Sequence, residues 1–497
     1  MRIKAAFGTA MEQLGIRKLR EHQRAPIQAI TEGKDSMIIY PTSSGKSAIF
    51  QIPGLILRTG YVLVIEPMIA LLLDQVNKLQ SQGIEAHYIS SINQGHYHHK
   101  IFNMIQDDTL RFLYTTPESI KMNQDLRCTL QEHPPAIIAV DEAHCIVEWG
   151  NLSFRPAYAK IGDFIDSLKH RPTIVALTAT APEDYRNQII DSLGMKKPVV
   201  FTHSLARHNI TIIQDNWSHL TIQKRLTKVH YYIKKYCPDQ GSVVVYCSSR
   251  GNVDAVYNYL SDKKRFPDEV AKCHAGLRTG SKKSVQRNEQ AQADFINGKK
   301  RIMVATSAFG MGVDKADIRL VIHFNMPLSI IDYYQQIGRA GRDGKRSYAV
   351  MMYAESDIKL NQSLLKKQNK KSKAEKAAKK EMKNPSTTYI PLRSVASEWN
   401  VRPILQQSLS FMYARERWLE LRQERKHAYK TSKRRFKALL QLLNSEDCYM
   451  QQILKYLGEE DPKQCRFCTN CQRKRRPCIM VPRNRTTVDE KNVNMVE

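Results

Sequence analysis

A short turn near the start of the chain carries the residue types that bind phosphate. Gly45-Lys46-Ser47 follows an apolar run that ends at Tyr40. A phosphate-binding loop has the pattern G-x-x-x-x-G-K-[ST], because its backbone N–H groups wrap the phosphates, its lysine reaches the β/γ oxygens and its hydroxyl binds Mg²⁺. Tyr40 occupies the position of the first glycine in that pattern. The turn therefore indicates either a nucleotide site that departs from the common pattern or a strand-turn-helix that contains these residues by coincidence.

A pair of carboxylates closes a second apolar run. Asp141 and Glu142 end the segment AIIAVDE, where one carboxylate can hold the Mg²⁺ of a nucleotide and its neighbour can polarise the attacking water. Two acidic residues after a strand also serve as a helix cap and first turn. Their position, after a strand-terminal GKS in the order that a P-loop NTPase requires, favours the nucleotide interpretation.

Two arginines stand close together much further along the chain. Arg339 and Arg342 lie in the segment QQIGRAGRDG, which begins at Gln335. Such a pair is either a surface patch or a set of cationic groups brought across a cleft to stabilise charge on a transferring γ-phosphoryl group. The second interpretation requires a second lobe that faces the first.

The C-terminal cysteines have the spacing of metal ligands. Cys465, Cys468 and Cys471 are each three positions apart, and Cys448 stands seventeen positions upstream. Four thiolates satisfy tetrahedral Zn²⁺ and can supply much of the folding free energy of a small module. Cys478 could compete with Cys448 as the fourth zinc ligand. The alternative to zinc is an iron-sulfur cluster held by Cys465, Cys468, Cys471 and Cys478, although the usual final cysteine spacing and following proline of such clusters are absent.

The size and charge of the chain bound the class of protein. The 497 residues exceed what one hydrophobic core usually supports, so two or three domains are expected. The net charge of +29 predicts a polyanionic partner, of which nucleic acid is the commonest, although a merely soluble basic protein has the same charge. A secretory h-region and a membrane-spanning apolar run are both lacking, so we expect a soluble, intracellular protein without a membrane partner.

Apolar β-rich runs alternate with helix-like stretches in two blocks, which predicts an α/β fold with two tandem parallel-sheet lobes. The predicted strands of the first block are MIIY, YVLVIEP, RFLYTTP, AIIAVDEAH and TIVALTAT, and those of the second are GSVVVYCSS, RIMVATSAF, LVIHFNMP and YAVMMYAE. Functional loops collect at the carboxyl ends of such strands. The GKS and DE motifs are therefore expected at one edge of the first sheet.

Taken together, these motifs resemble those of superfamily-two helicases, and specifically the RecQ family. The resemblance covers about residues 14 to 357 and resumes at about 446 to 471. It rests on LGIRKLREHQ, PTSSGKS, VIEPMIALLLDQV, LYTTPES, DEAHCIVEWG, ALTATA, VVVYCSSR, CHAGL, ATSAFGMGVDK, YYQQIGRAGRDG and the cysteine spacing. P-loops of this family also carry a larger residue where the generic pattern has glycine, so the resemblance favours ATP despite Tyr40. It implies two RecA-like lobes, a helical and zinc-binding C-terminal module, and the cofactors ATP, Mg²⁺ and Zn²⁺.

The resemblance also assigns roles to residues. In the first lobe Lys46 and Ser47 bind phosphate and magnesium, Asp141 binds the metal and Glu142 the hydrolytic water. In the second lobe Arg342 is the arginine finger, supported by Arg339. The full ATP-binding set is Arg20, Gln23, Thr42, Ser43, Ser44, Gly45, Lys46, Ser47 and Gln335, in which Gln23 with Arg20 reads adenine. Thr178 and Thr180 are expected to couple the lobes, and the zinc ligands are Cys448, Cys465, Cys468 and Cys471.

A loop just after the carboxylates, CIVEWGNLSFRPAY, resembles the aromatic-rich loop of the family. Trp149 and Phe154 offer rigid stacking surfaces and Arg155 a phosphate contact, a combination suited to single-stranded nucleic acid. A buried aromatic cluster under a loop is the alternative.

The predicted domains are helicase lobe 1 (1–200), helicase lobe 2 (201–357), a Lys-rich linker or insert (358–400), the helical and zinc-binding module (401–475) and a polar tail (476–497). The Lys-rich run is interpreted as a solvated helix or linker, with DNA binding as the alternative. Because 26 residues follow Cys471, we expect a short form without winged-helix and terminal helical domains.

The function that the resemblance implies is an ATP-dependent 3′–5′ DNA helicase of recombination and repair, acting on single-stranded DNA and tailed duplexes. An RNA-directed or duplex-remodelling ATPase with little unwinding is one alternative. A DNA-binding or annealing protein with a vestigial ATPase is another, although no phosphate-site residue is replaced.

Overall fold

The structure is a computed structural model that describes residues 2–42, 44–93, 95–150, 155, 157–218, 221–238, 240–274, 282–307, 309, 315–370, 373–383 and 403–475. Ser43, Phe154 and Cys478 lie outside these ranges, and the side chain of Trp149 is not described either.

The first lobe contains a seven-stranded parallel sheet. Its strands are β1 (Ser36–Ile39), β2 (Val62–Ile65), β3 (Ala86–Ile89), β4 (Phe112–Thr115), β5 (Ile137–Val140), β6 (Thr173–Thr178) and β7 (Val199–Thr202), in the order β3-β4-β2-β5-β6-β1-β7. The central strands are almost wholly apolar and buried, because helices cover both faces of the sheet. Adjacent β5, β6 and β1 bring the ends that carry DE, TAT and GKS side by side.

The second lobe contains a six-stranded sheet whose paired strands are also parallel. Its strands are β8 (Ile210–Asn216), β9 (Ser242–Tyr246), β10 (Val270–Cys273), β11 (Ile302–Ala305), β12 (Ile318–His323) and β13 (Ser347–Tyr353), in the order β10-β11-β9-β12-β13-β8. The two sheets confirm the predicted fold class.

The domain boundary expected after residue 200 falls inside β7, which pairs with β1 of the first lobe.

Helices flank both sheets and form most of the C-terminal region. Those that precede β8 are α1 (Arg2–Gln13), α2 (Glu21–Thr31), α3 (Lys46–Ile56), α4 (Ile69–Ser81), α5 (His96–Gln106), α6 (Pro117–Met122), α7 (Gln124–Glu132), α8 (Ile161–Asp166) and α9 (Glu183–Ser192). The later ones are α10 (Ile222–Tyr236), α11 (Arg250–Leu260), α12 (Lys282–Ile296), α13 (Ile330–Ile337), α14 (Glu355–Gln368), α15 (Lys373–Lys383), α16 (Pro403–Asn444), α17 (Tyr449–Tyr456) and α18 (Thr469–Arg475). None of the helices in the described ranges is long and apolar enough to cross a membrane.

The nine predicted strand segments all contain strands, and four further strands in the described ranges were missed. These are β3, β7, β8 and β10. β7 and β10 are edge strands with half-exposed residues, so their sequences lack the continuous apolar run that marks a central strand.

One apolar core runs through both lobes into the C-terminal module. It includes Tyr185 of the first lobe, Leu205 of the linker, Tyr334 of the second lobe and Leu439 of α16. The three parts therefore pack as one body, which fixes how the two sheets face each other.

A buried carboxylate ties together the amino ends of three strands in the first lobe. Asp35, just before β1, accepts hydrogen bonds from Nη1 and Nη2 of Arg171 at 3.1 and 2.5 Å, from the N–H of Ile174 at 3.0 Å and from the N–H of Lys196 at 2.7 Å. These partners precede or begin β6 and β7, the two neighbours of β1.

Replacing Asp35 by alanine is expected to lower the free energy of unfolding of the first lobe by about 1–3 kcal/mol, since the change leaves the buried N–H of Ile174 without its acceptor. Denaturant unfolding of the purified chain measures the loss. Asp163→Ala is the matched control, because Asp163 pairs with Lys160 at an exposed position where an ion pair contributes about 0–1 kcal/mol. Equal effects of the two changes would contradict the assigned role of Asp35.

Candidate ATP and zinc sites

The GKS turn leaves β1 and begins α3, as a phosphate-binding loop does. Gly45 has a φ of +79°, and a Cβ there would stand 2.5 Å from Nε2 of Gln23, so the position requires glycine. The Nζ of Lys46 donates to the carbonyl of Tyr40 at 3.3 Å. The hydroxyl of Ser44 is buried and has no hydrogen-bond partner among the described residues. An orphaned hydroxyl beside a lysine at a helix N-terminus fits a bound phosphate group.

Tyr40 packs against the helix that precedes the turn. Its side chain is buried, its hydroxyl donates to the carbonyl of His22 at 2.6 Å, and its ring meets the imidazole of His22 edge-on at 5.0 Å. Burial raises the pKa of Tyr40 to about 12. A large residue is therefore accommodated here without disturbing the loop.

Gln23 connects α2 to the phosphate-binding turn. Its Nε2 donates to the carbonyl of Gly45 at 2.9 Å, and its Oε1 accepts from the N–H of Arg20 at 2.9 Å. The contacts lie next to the loop predicted to bind ATP, while recognition of adenine by Gln23 and Arg20 stays a prediction.

Three carboxylates meet at the ends of β2 and β5. Asp141 accepts a hydrogen bond from the N–H of Glu142 at 2.8 Å, and Glu142 has a positive φ of 46°. Burial, together with the charge of Glu142, raises the pKa of Asp141 to about 6. Burial acts in the same direction on Glu142, but Lys46 and His144 outweigh it and lower its pKa to about 2.

The third carboxylate, Glu66, was missed from sequence. It is completely buried, and burial with the charges of Asp141 and Glu142 raises its pKa well above the usual range. Its Oε1 accepts from Gln75 at 2.8 Å. A cluster of oxygen ligands that faces Lys46 is the donor set that Mg²⁺ prefers, so the residues fit the metal that accompanies ATP.

The histidine that follows the carboxylates reaches both lobes. Nδ1 of His144 lies 3.3 Å from a carboxylate oxygen of Glu142 and 3.1 Å from the hydroxyl of Thr178. Its Nε2 lies 2.9 Å from Nε2 of Gln335, which also donates to the hydroxyl of Thr180 at 3.2 Å. Gln335 belongs to the second lobe, so a chain of polar contacts crosses from the carboxylates to the facing lobe.

The arginine pair follows the end of α13, and Arg339 is within electrostatic reach of Glu142. Arg339 is buried, and its Nε has no hydrogen-bond partner among the described residues. Burial lowers its pKa, while Glu142 acts in the opposite direction. A buried guanidinium with an unused donor fits a cation that receives a phosphate group.

Arg207, in the linker between the lobes, was missed by sequence reasoning. Its guanidinium donates to the carbonyls of Gly338, Ala340 and Gly341 at 2.9, 2.7 and 3.0 Å, and to the hydroxyl of Thr42 at 3.4 Å. Thr42 also donates to the carbonyl of Gly338 at 3.3 Å. The phosphate-binding turn of one lobe is thus joined to the arginine turn of the other.

The loop after the carboxylates is only partly described. Trp149 lies in a π-helical turn, Ile146–Gly150, and Phe154 lies outside the described residues. Arg155 forms a bidentate pair with the carboxylate of Glu118 at 2.6 and 2.7 Å and donates to the carbonyl of Pro67 at 2.7 Å. Its contact with nucleic acid stays a prediction, and such a contact would compete with this pair.

The four cysteines predicted as metal ligands converge at the start of α17 and α18. Cys448, Cys465, Cys468 and Cys471 are all buried, and their sulfur atoms lie within 4.8 Å of one another. Tetrahedral Zn²⁺ with Zn–S bonds of about 2.3 Å places its sulfurs about 3.8 Å apart, so the cluster fits zinc.

Backbone geometry holds the cluster in place. The N–H of Cys465 donates to the sulfur of Cys448 at 3.2 Å, and Arg466 has a positive φ of 67° in the turn between the cysteines. The amide of Asn470 donates to the carbonyls of Ser445 and Asp447 at 2.7 and 2.8 Å, which fixes the loop that carries Cys448.

Comparison with known proteins agrees with this geometry. Three family models match the chain: DEAD/DEAH box helicase over residues 20–188, Helicase conserved C-terminal domain over 225–344, and RecQ zinc-binding over 406–472. The probable ATP-dependent DNA helicase RecS of Bacillus subtilis (strain 168) is 32% identical over 359 residues, which are 72% of this chain and 68% of that relative.

The chain belongs to the RecQ family of helicases.

Another relative, the ATP-dependent DNA helicase RecQ of Pasteurella multocida (strain Pm70), is 36% identical over 355 residues. This match covers 71% of the chain and 53% of the relative, so the chain spans about half the length of that RecQ protein. A crystal structure of the DUF1998 helicase MrfA bound to DNA shares the fold, with a TM-score of 0.58, 18% identity and coverage of 70% of this chain and 51% of that one.

Membership of the RecQ family, together with the cysteine cluster, confirms the predicted cofactors ATP with Mg²⁺ and Zn²⁺. The match to the zinc-binding model includes all four clustered cysteines and ends before Cys478.

Replacing Arg207 by alanine is expected to reduce ATP turnover at least about tenfold, since about 1.4 kcal/mol of lost transition-state stabilisation gives that factor. The phosphate-binding turn keeps its own contacts, so the Kd for a fluorescent ATP analogue should change less. Arg207→Lys keeps the positive charge but loses the planar group with several donors. Its ATP turnover should therefore lie between that of Arg207→Ala and that of the unmodified protein. The control is Arg58→Ala, which removes an exposed arginine. Turnover within twofold of the unmodified protein would contradict the role.

Cys448→Ser is expected to lower the zinc content and to make the C-terminal module sensitive to protease, because a structural zinc site supplies folding free energy. Cys478→Ser should do neither, and Cys128→Ser, at an exposed position, is the control. Metal analysis of the purified proteins measures the result. Full zinc occupancy in Cys448→Ser, or iron in the unmodified protein, would show that the ligand set is wrong.

Proposed function

We propose that the chain is an ATP-dependent DNA helicase that moves 3′ to 5′ along a single strand and unwinds duplex DNA in recombination and repair. The observation that carries the proposal is the polar connection from Glu142 through His144 to Gln335. Because this connection touches both lobes, a change at the nucleotide site alters the contact between them. Opening and closing of a cleft is the kind of motion that advances a protein along a strand.

The first lobe holds the nucleotide in this proposal. When bound, ATP with Mg²⁺ supplies the phosphoryl group whose hydrolysis releases the driving free energy. Lys46 donates to phosphate oxygens, Ser47 and Asp141 hold the metal, and Glu142 orients and polarises the attacking water. The remaining ATP-binding residues are Arg20, Gln23, Thr42, Ser43, Ser44, Gly45 and Gln335.

The second lobe supplies positive charge. Arg342 and Arg339 stabilise the negative charge that develops on the transferring group, a contribution that requires donors to be aimed before the reaction starts. Two observations support this role: Arg339 is buried with an unused Nε, and Arg207 holds the turn that carries both arginines.

Nucleic acid is held by the loop after the carboxylates. We assign stacking on bases to Trp149 and Phe154 and a phosphate contact to Arg155, with single-stranded DNA and tailed duplexes as substrates. The protein then acts where DNA is held, in the cytoplasm or nucleoid of a bacterium or in the nucleus of a eukaryote.

The proposal keeps the domain ranges given from sequence, which are 1–200, 201–357, 358–400, 401–475 and 476–497.

Unwinding of tailed duplexes of both polarities tests the function. We expect ATP-dependent unwinding of the duplex with a 3′ tail and none of the duplex with a 5′ tail. Stimulation of ATPase by single-stranded DNA over RNA is the second expected result. Preferred stimulation by RNA, or unwinding from the 5′ tail, would contradict the proposal.

Lys46→Ala and Glu142→Gln are expected to lower ATP turnover by at least about 100-fold, because they remove a phosphate contact and the group that polarises water. Single-strand binding should stay nearly unchanged in both, and Glu142→Gln should still bind ATP. Lys121→Ala and Glu132→Gln are controls at exposed positions of the same lobe. Normal turnover in either site variant would overturn the assignment.

A further inference from the structure

The Lys-rich run, interpreted from sequence as a solvated helix or linker, includes a helix with one inward face. In α15, Glu375 and Ala378 are buried and Met382 is half-buried. The spacing of three and four residues places these side chains on one side of the helix, and α15 packs along α16. The described part of the run is therefore a folded element.

A buried ion pair sets the position of α15. The guanidinium of Arg425 in α16 bonds both carboxylate oxygens of Glu375, at 2.8 and 3.3 Å, and the side chain of Glu375 is 1% exposed. Arg425 also donates to the backbone carbonyl and the side-chain oxygen of Asn369 at 2.9 and 2.6 Å. A bidentate pair has one favourable geometry, so these bonds fix how α15 and the end of α14 lie on α16.

A second side of α15 is cationic. Lys376, Lys379 and Lys380 are exposed and share one helical face. Three further exposed lysines precede the helix, at positions 366, 367 and 370. Among the ion pairs of the described residues, none involves these six lysines, and Glu381 is the exposed carboxylate of α15. We call Lys376, Lys379 and Lys380 the lysine face, and the other three lysines precede it in the chain.

The helix on which α15 packs, α16, also carries exposed positive charge. Arg415, Arg417, Lys426 and Lys430 are exposed there, as is the carboxylate of Glu416. An excess of exposed cationic side chains in one region favours a polyanionic partner. α15 contains no aromatic residue and offers no surface on which bases could stack. The chemistry therefore fits phosphate groups and not bases.

α16 carries the lysine face next to both lobes. Arg434 pairs with Asp184 of α9, the guanidinium of Arg435 lies 4.8 Å from the ring centre of Tyr185, and α16 also packs on α13. Arg425 precedes Arg435 by ten residues, roughly 15 Å along a helix axis. A nucleic acid bound on the lysine face would thus lie beside the helicase lobes.

We propose that the lysine face binds the phosphates of duplex DNA, as a second contact outside the ATP cleft and the loop after the carboxylates. The inference rests on the proposed function, since it assumes that DNA is the substrate. The lysine face contacts phosphates alone, so it favours the nucleic acid with the denser array of charge. Duplex DNA presents about one negative charge per 1.7 Å of helix axis, which is denser than a single strand, and is therefore the proposed occupant.

The test compares salt dependence of binding in the full chain. Lys376→Gln, Lys379→Gln and Lys380→Gln are combined, and affinities for a blunt duplex and a single-stranded oligonucleotide are measured across salt concentrations. The slope of log affinity against log salt should become shallower by about 1 to 3 for the duplex, at about 0.9 for each phosphate that the variant no longer neutralises. The slope for the single strand should change little.

A matched variant removes the same charge elsewhere. Lys224→Gln, Lys263→Gln and Lys264→Gln lie at exposed positions of the second lobe and should leave both slopes unchanged. A variant with arginine at 376, 379 and 380 should restore the duplex slope. An unaltered duplex slope in the glutamine variant, or an equal change of slope in the matched variant, would overturn the proposal. The segment would then be interpreted as a solvated helix or as a docking face for another kind of partner.

ATP turnover at saturating single-stranded DNA separates this inference from the proposed function. The glutamine variant should retain the turnover of the unmodified chain, because none of its positions lies at the ATP site. Absence of DNA-stimulated turnover in the unmodified chain would refute the proposed function itself, whatever the slopes show.

Discussion

The contact made by Arg207 holds the phosphate-binding turn of one lobe against the arginine turn of the other. Its guanidinium reaches one hydroxyl of the phosphate-binding turn and three carbonyls of the turn that carries the arginine pair. Planar geometry lets a single side chain satisfy several acceptors that would otherwise be buried without donors. Because the acceptors belong to turns of separate lobes, one residue of the linker aligns the two halves of the proposed ATP site.

Electrostatics within the aligned cleft explain why its charged groups tolerate burial. Glu66 and Asp141 are buried and Glu142 is partly buried beside them, an arrangement that is costly unless cations or protons are nearby. Lys46 from the same lobe and Arg339 from the other supply part of that positive charge. A divalent cation is the remaining partner that such a cluster favours, which accords with the cofactors of the RecQ family.

The zinc-binding module is built into the junction between the lobes. Glu459, just after α17, accepts hydrogen bonds from the hydroxyl of Ser204 at 2.9 Å and from the N–H of Leu205 at 3.2 Å. The carbonyl of Leu205 in turn accepts from the hydroxyl of Tyr334 at 2.5 Å. The linker that presents Arg207 is thereby held by the second lobe and by the C-terminal module at once, so the fold of the module and the geometry of the cleft are connected.

Local patterns in the sequence determined the α/β fold class, the strands with continuous apolar runs, the GKS and DE turns and the four clustered cysteines. They did so because strand periodicity, loop chemistry and ligand spacing are properties of neighbouring residues. The tertiary structure decided what depends on residues far apart in the chain: Glu66 beside Asp141, His144 against Gln335, Arg207 between two turns, and Arg155 paired with Glu118. It also decided that the Lys-rich run contains a packed helix, since Glu375 and Arg425 are fifty residues apart and only the folded chain brings them together. A charged residue has no local signal that distinguishes a solvated side chain from one that pairs across a distant interface, so contacts of this kind are fixed by packing and not by sequence pattern.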